Sequence, residues 1–478
     1  MTAVDDAARS AAVDTRLPDG FQVQIDMRCA RRHDLRYLVG GSPTRMLRLS
    51  DAALGMTSAD GRIEVCDNAT RTLSRRLLDA GIAHPRPMFG PKPDDVTIVV
   101  PVRGNQAGVD RLLAAVAGTS PVIVVDDGSP EPIHVTGDGV RVIRFGHNRG
   151  PSAARNAGAA AATTDFVAFL DSDVVPSAEW LTMLLGHFSD PSVGIVAPRI
   201  VGLSRTRHGV GLAERYENGY SSLDMGPAEC AVVPGTPTPY VPSAAMVVRR
   251  CAFEEFDESL RVAEDVDLCW RTHKAGWRIR YDPVAEVAHD HRTDLRSVLD
   301  RRRYYGTGAA HLADRHGGFA APVVMSIPMV AAVIALLTRT KIGLAIALII
   351  VGHISIRLRG RLGDLPGASV VATQMSTRAV GFGMLQAGGA ICRHYWPVAA
   401  VLAVVSGRFR NLAIEIAVAE GVVAWVRTVL ADPSTAPAMG PLTFTALRRL
   451  DDLAYGAGLW QGAFTQRDFG ALRPVFTK

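Results

Sequence analysis

The sequence predicts an α/β protein built on a sheet between residues 94 and 312. Three observations lead there. Val96–Val100, Val122–Val125 and Phe166–Leu170 are runs of apolar, β-favouring residues, the pattern of strands buried on both faces of a parallel sheet. Helical stretches at 106–117 and 151–162 alternate with those runs, as they do in βαβ units. Carboxylates then stand where the runs end, Asp126 and Asp127 after the second and Asp171 and Asp173 after the third. Open α/β sheets bind ligands in the crevice outside those strand ends.

Along the chain, residues 17–90 read as a small module. Phe21–Ile25 and Leu35–Val39 are expected to pair as a hairpin, with helices near 43–54 and 69–80 completing a winged-helix shape. The Gly/Pro-rich stretch 81–93 reads as a linker. Val140–Phe145 and Gly194–Pro198 add two strands to the sheet, and 177–188 and 264–275 add two helices. From about 320 to 470 the chain is expected to be helical. Pro322–Leu337 and Ile342–Ile356 are nearly uncharged, with Arg339 and Lys341 between them. They are short against the roughly 20 apolar residues of a membrane span. An embedded or crossing hairpin and a buried helical subdomain are therefore both open. Arg357, Arg359 and Arg361 suit a cytoplasmic flank, and 411–427, with Glu415 and Glu420, reads as an amphipathic or core helix.

Composition excludes little. Hydrophobic residues at 48% allow a sizeable core, and 52 basic against 47 acidic residues leave a net charge of +5, too balanced to argue for nucleic acid. Arg28, Arg31, Arg32, Arg45 and Arg48 in the first module permit a DNA-binding reading, but a binding protein has no use for the intact series of carboxylates. Six cysteines without CxxC spacing point to reduced thiols in the cytoplasm. The acidic first residues lack the apolar stretch of a secretory signal. Disorder is expected in the first dozen residues and in the Pro/Ala stretch at 432–441.

The chemistry lies in four stations. VTIVVPVRGN (96–105), with Pro101, and VIVVDDGS (122–129) fit a nucleotide site, where a carboxylate can accept a uracil N–H or a ribose hydroxyl. In NRGPSAARNAGAAAATTDFVAFLDSD (148–173), Arg155 is expected to face the nucleotide. Asp171 takes ribose or metal-bound water, and Asp173 holds Mg²⁺ or Mn²⁺, which suits a diphosphate. In VAEDVDLCWR (262–271), Asp265 is the candidate general base and Asp267 with Arg271 an i,i+4 ion pair. His289 in AEVAHDH is the candidate last metal ligand, with His291 its competitor. Arg302 and Arg303 in RRRYYG offer planar forks to a diphosphate, and a membrane-facing surface is the rival reading of that run.

Taken in order, IVVPVRGN, VVDDGS, NRGPSAARNAG, FLDSD, FDESLRVAEDVDLCWR, GWRIRYDP and VAHDH resemble the family 2 inverting glycosyltransferases of the GT-A fold. The resemblance implies that Asp126 or Asp127 touches the uridine of a UDP-sugar, that Asp173 and His289 hold the metal, and that Asp265 is the inverting base. The Q-x-x-R-W motif of processive members is absent, and RRRYYG stands in its place. With LPDGFQVQID and GGSPTRMLRL included, the chain resembles the glycosyltransferases of mycofactocin systems. That implies stepwise β-1,4 addition of glucose from UDP-glucose onto a small peptide-derived redox cofactor. It also implies a PqqD-like peptide-recognition fold for 17–90 and a cytoplasmic or membrane-surface location. Transfer to a polyprenyl phosphate or another membrane lipid is the alternative.

Overall fold

The structure, a computed structural model, describes residues 13–31, 34–41, 44–86, 89–137, 139–203, 211–363, 365–433 and 439–477. The first dozen residues, Arg32, and 434–438 of the Pro/Ala stretch lie outside these. The chain divides into two compact units, one made of the described residues of 1–205 and 221–291, the other of those of 206–220 and 292–478.

The first module does not form the expected hairpin. Gln22–Ile25 pairs with Arg62–Glu64 and Ala83–Pro85, whereas Asp34–Gly40 pairs with Ala30–Arg31 and Arg45–Arg48. The reason is the turn between them. The Asp26 carboxylate accepts the Arg28 amide at 2.9 Å, and the Cys29 amide bonds the Asp26 carbonyl at 2.8 Å, so the chain leaves the first sheet and opens a second. The expected helix at 43–54 begins instead as the strand Arg45–Arg48. Only Asp51–Gly55 is helical, because Ser50 caps there, accepting from the Ala53 amide. The helix expected at 69–80 is present as Asn68–Asp79, opened by an Asp67/Thr70 capping box.

This module is fastened to the sheet of the same unit. Arg75 donates both ends of its fork to Asp190 at 2.8 Å each, Arg278 grips Asp79, and Arg86 bonds Glu229 at 2.8 Å. Asp190 is buried, and Arg75 and Ser192 hold its carboxyl below the usual range despite that burial.

Among the described residues the sheet has nine strands: β1 (Val96–Val102), β2 (Val122–Asp126), β3 (Val140–Arg144), β4 (Phe166–Leu170), β5 (Val174–Pro176), β6 (Val193–Gly202), β7 (Cys230–Val232), β8 (Ala245–Arg249) and β9 (Arg278–His289). Their order is β5-β9-β6-β8-β4-β1-β2-β3, with β7 also on β9. The sheet is mixed, where the apolar runs suggested a parallel one. β4, β1, β2 and β3 are parallel neighbours, but β8 runs antiparallel to β4 and β6, and β5 and β7 run antiparallel to β9. β9 escaped the sequence reading because it alternates charged and apolar residues and carries a register shift against β6 near Pro283. Helix Gln106–Val116 crosses from β1 to β2, and Pro151–Ala161 crosses from β3 to β4. The latter packs closely on the sheet: a Cβ on Gly158 would lie 2.2 Å from Val99. β1, with β2 on one side and β4 on the other, marks the point where strand order reverses.

The second unit is helical: Leu212–Gly219, Leu295–His316, Ile327–Leu337, Lys341–Leu362, Ala368–Arg393, Trp396–Val405, Gly407–Ala431 and Pro441–Gln466. Lys341–Leu362 is long and apolar enough to cross a membrane, with 11% of its most apolar window buried. Ala368–Arg393 and Trp396–Val405 form a second apolar pair bent by 84°. The helix expected at 411–427 is present as Gly407–Ala431; among the described residues it is not one of the helices apolar enough to span, and it buries Glu420 and Gly421.

Removing the Arg75 fork leaves the buried Asp190 carboxylate without its counter-ion. Arg75→Met is expected to lower the stability of the first unit by about 3–5 kcal/mol. Chemical denaturation checks this, and hydrogen exchange should show earlier opening of Gln22–Ile25.

Candidate functional site

The site grows from the carboxyl ends of β1, β2 and β4. Pro101 is buried in β1, in register with Val125 of β2. Asn105 caps the following helix by accepting the Gly108 amide, and its Nδ2 donates to the carbonyl and hydroxyl of Ser172 at 3.2 Å each. The Asp-Ser-Asp turn is thereby tied to the loop after β1.

Asp126 and Asp127 are 1% and 5% exposed. Asp126 accepts the amides of Ser129 and Ile133 and faces Arg144 at 3.2 Å. These donors hold its carboxyl below the ordinary value against its burial. Asp127 accepts the Arg149 and Gly150 amides at 2.6 and 2.9 Å. Both carboxylates therefore shape the loops that rim the crevice. Gly128, at φ 65°, has no room for a side chain, because a Cβ would lie 2.5 Å from the His147 backbone.

Arg155, expected to face the nucleotide, is 3% exposed. Its guanidinium donates to Asp171 at 2.7 Å and to Glu264 at 3.1 Å, and lies 5.3 Å from the Phe256 ring centre. The two carboxylates raise its pKa although burial opposes the charge. Asp171 follows β4, and Glu264 opens helix Glu264–Lys274. Arg155 thus joins the end of the central strand to the helix that carries Asp265. In the sequence Glu264 shares the acidic station of Asp265, but its bond to Arg155 has no signal there.

Asp265 is partly accessible yet set deep, and it accepts the amides of Val266 at 2.8 Å and Ser243 at 3.3 Å. Burial, and then the charge of Glu264, push its carboxyl up to about 7, against the pull of those amides and of Arg155. A helix N-terminus favours carboxylate by only ~0.3–1 kcal/mol in ordinary settings, so desolvation prevails here. Ala263, directly before the helix, adopts φ 63°. For a residue with a Cβ this costs about 1–2 kcal/mol, and such strain is often stored beside reacting groups. Asp267 and Arg271 form the expected i,i+4 pair at 2.8 Å.

Asp173 and His289 are brought together by strand pairing. β5 runs antiparallel to the end of β9 with Val174 opposite His289, and the Asp290 amide bonds the Asp173 carbonyl at 2.9 Å. His289 Nε2 lies 3.5 Å from Asp173 Oδ2. Two ligand atoms each about 2.1 Å from one ion stand roughly 3–4 Å apart, so the pair fits a divalent cation. Among the described residues no three His, Cys, Asp or Glu side chains gather into a closed metal cluster. An open two-ligand site leaves positions for phosphate oxygens and water, the form in which Mg²⁺ is commonly held.

Arg302 and Arg303 belong to the second unit. Arg302 is buried, donating to Glu217 at 2.7 Å and to Asp451 at 3.2 Å. Arg303 donates to Gln461 at 2.8 and 3.1 Å, and Arg301 lies over the rings of Tyr304 and Tyr305.

Residues 97–256 match the family model described as glycosyl transferase family 2. The pre-mycofactocin glycosyltransferase of Mycobacterium tuberculosis is 47% identical over 468 residues, covering 96% of this chain and 98% of that protein. An O-antigen chain rhamnosyltransferase, RfbN, of Salmonella typhimurium is 26% identical over 151 residues, 31% of this chain and 47% of its own. Among solved structures, the mannosyltransferase PcManGT of Pyrobaculum calidifontis in complex with GDP-Man and Mn²⁺ aligns with a TM-score of 0.34 at 16% identity, over 72% of this chain and 90% of that one. The β1–β4 core and the mixed sheet around it make a GT-A-like glycosyltransferase fold, and a helical C-terminal region follows in the chain.

A reaction that uses Asp265 as proton acceptor needs it ionised. Its kcat/KM is expected to fall about tenfold per pH unit below a pH near 7. Glu264→Gln removes a neighbouring negative charge and should move that limb to lower pH. The pH–rate profiles of the two proteins check both statements.

Proposed function

The chain belongs to the family 2 glycosyltransferases, alongside the pre-mycofactocin glycosyltransferases, and from that membership we propose that it moves glucose from UDP-glucose onto the small peptide-derived redox cofactor mycofactocin, building β-1,4-linked units. The observation that carries this reading is the 47% identity along nearly the whole of both chains. In the reaction, the Asp265 carboxylate takes the proton of an acceptor hydroxyl as its oxygen attacks the anomeric carbon. The bond from that carbon to the UDP oxygen breaks on the opposite face, UDP leaves with the electron pair, and an α-linked donor becomes a β-linked product. Support for this role comes from the accessible, high-pKa position of Asp265 and from its placement by Arg155 relative to Asp171.

Asp173 and His289 would hold Mg²⁺ or Mn²⁺. Such an ion supplies charge neutralisation for the departing diphosphate. Pro101, Asp126, Asp127 and Asp171 frame the donor crevice, with Asp171 as the partner for ribose. Arg155 acts from behind, by orienting Asp171. Arg302 is committed to two buried carboxylates, Glu217 and Asp451, and releasing it to bind a diphosphate would cost about 3–5 kcal/mol.

The N-terminal module is read as a PqqD-like peptide-recognition element. The edge strand Arg45–Arg48 of its second sheet is suited to take up an extended peptide by strand addition. The helical region is read as membrane-associated at the cytoplasmic face. Lys341–Leu362, 22 residues long, spans about 33 Å at 1.5 Å per residue, enough for a hydrocarbon core of ~30 Å. Arg357, Arg359 and Arg361 stand at one end. This exposed apolar helix also favours a second reading, in which the acceptor is a polyprenyl phosphate or another membrane lipid.

The test is UDP release by the full chain with Mn²⁺ or Mg²⁺, comparing UDP-glucose with other sugar nucleotides. Mycofactocin-type and lipid acceptors are supplied in turn. Release from UDP-glucose stimulated by the mycofactocin-type acceptor is expected, and stimulation by the lipid alone would move the assignment to the second reading. Asp265→Asn should reduce turnover by about 10²–10⁴-fold with UDP affinity nearly unchanged. Turnover that survives in this variant would remove Asp265 as the base.

A further inference from the structure

His291 has no part in the chemistry above, yet it is placed to decide whether His289 can bind a cation. Both imidazoles are buried, at 7% and 8% exposure. Their Nδ1 atoms are 3.0 Å apart, with the ring centres 4.9 Å apart and the planes tilted by 41°. One proton lies between the two Nδ1 atoms, because two N–H groups or two lone pairs facing each other at that distance would repel.

The proton has two places. On His291 Nδ1, it would leave His289 with its hydrogen on Nε2, aimed at Asp173. That arrangement makes an N–H···O bond, whose ordinary length is about 2.7–3.2 Å, and it turns a hydrogen toward any cation. On His289 Nδ1, it leaves His289 Nε2 as a lone pair. The 3.5 Å between Nε2 and Asp173 Oδ2 is longer than such a bond, so the His289 hydrogen finds its partner at the 3.0 Å Nδ1 contact instead. The main chain does not hold the pair apart by accident, since the Asp290 amide clips the Asp173 carbonyl at 2.9 Å and fixes both ends. Asp290 itself is anchored by Arg111 at 3.1 Å.

We propose that His291 is a positioning residue: its Nδ1 accepts the hydrogen carried by His289 Nδ1, which directs the Nε2 lone pair of His289 toward Asp173 and readies the two for a divalent cation. This rests on the reading of Asp173 and His289 as metal ligands. Partners of this kind set the tautomer of metal-binding histidines, and their loss typically weakens metal affinity 10–100-fold.

The experiment uses the full chain in two measurements. Long-range ¹H–¹⁵N spectra of histidine-labelled, metal-free protein report the tautomer of His289, and Mn²⁺ titrations followed by EPR in the presence of UDP report affinity. Wild type is expected to carry the His289 hydrogen on Nδ1. His291→Phe, which fills the space without an acceptor, should lose about 10–100-fold in Mn²⁺ affinity. His291→Asn, whose Oδ1 stands near the place of Nδ1, should stay close to wild type. A hydrogen on His289 Nε2 in the metal-free wild type overturns the proposal, as does full Mn²⁺ affinity in His291→Phe. Asp173→Asn separates the two readings. If it alone weakens Mn²⁺, the metal site stands without the role of His291, and if it leaves Mn²⁺ binding unchanged, the metal reading falls with it.

Discussion

The catalytic unit depends on one buried cation. Arg155 sits under the crevice with its guanidinium divided between Asp171, at the end of the central strand, and Glu264, at the start of the base helix. Removing an ion from water costs several kcal/mol even after relaxation, and two carboxylates with an aromatic face offset that only while all of them stay in place. The same contact makes Glu264 an anion beside Asp265, so the burial around Asp265 and the charge of Glu264 push its carboxyl up to about 7. Structural locking and the raised carboxyl of Asp265 come here from one arrangement.

The edge of the sheet does a second task. Strand β5 has only three residues, and its pairing with the end of β9 sets Asp173 beside His289, 116 positions away (289 − 173). A strand so short contributes little to stability by itself. Its value is registration: a slip of one residue would turn alternate side chains to the other face and separate Asp173 from His289. Asn105, reaching from the β1 loop to Ser172, steadies the same turn from the other side.

The helical unit combines features that rarely coexist in a water-soluble bundle. Arg302, Glu217, Tyr216 and Asp451 form a buried polar lattice, joined by Arg393, Asp452, Arg449, Glu420 and Arg448. Meanwhile Ile342, Leu348, Ile349, Ile356, Val404 and Val405 lie exposed. Charges inside and apolar side chains outside reverse the usual division. The buried lattice leaves the arginine run 301–303, readable in sequence as phosphate-binding, largely occupied by the protein's own groups.

Local chemistry was enough to locate much of this protein from its residues alone. The apolar runs before Asp126 and Asp171 marked β2 and β4, since strands buried on both faces have few ways to be written. The Ala-rich stretch after Pro151 marked a crossover helix, and the order of the motifs marked the family. What sequence could not supply were facts of pairing and burial. The departure at Asp26 split the expected hairpin, because the turn that its carboxylate caps sends the two strands into separate sheets. β8 and β9 made the sheet mixed, since pairing direction is set by the path of the chain and not by composition. Arg155 proved to be a buried strut because Asp171 and Glu264 meet only after folding. The raised pKa of Asp265 and the contact of His289 with His291 likewise exist only where the fold removes water and closes distance. Sequence alone determined which groups are present and roughly where along the strands they emerge; tertiary structure decided which of them touch, because desolvation and proximity belong to space and not to order along the chain.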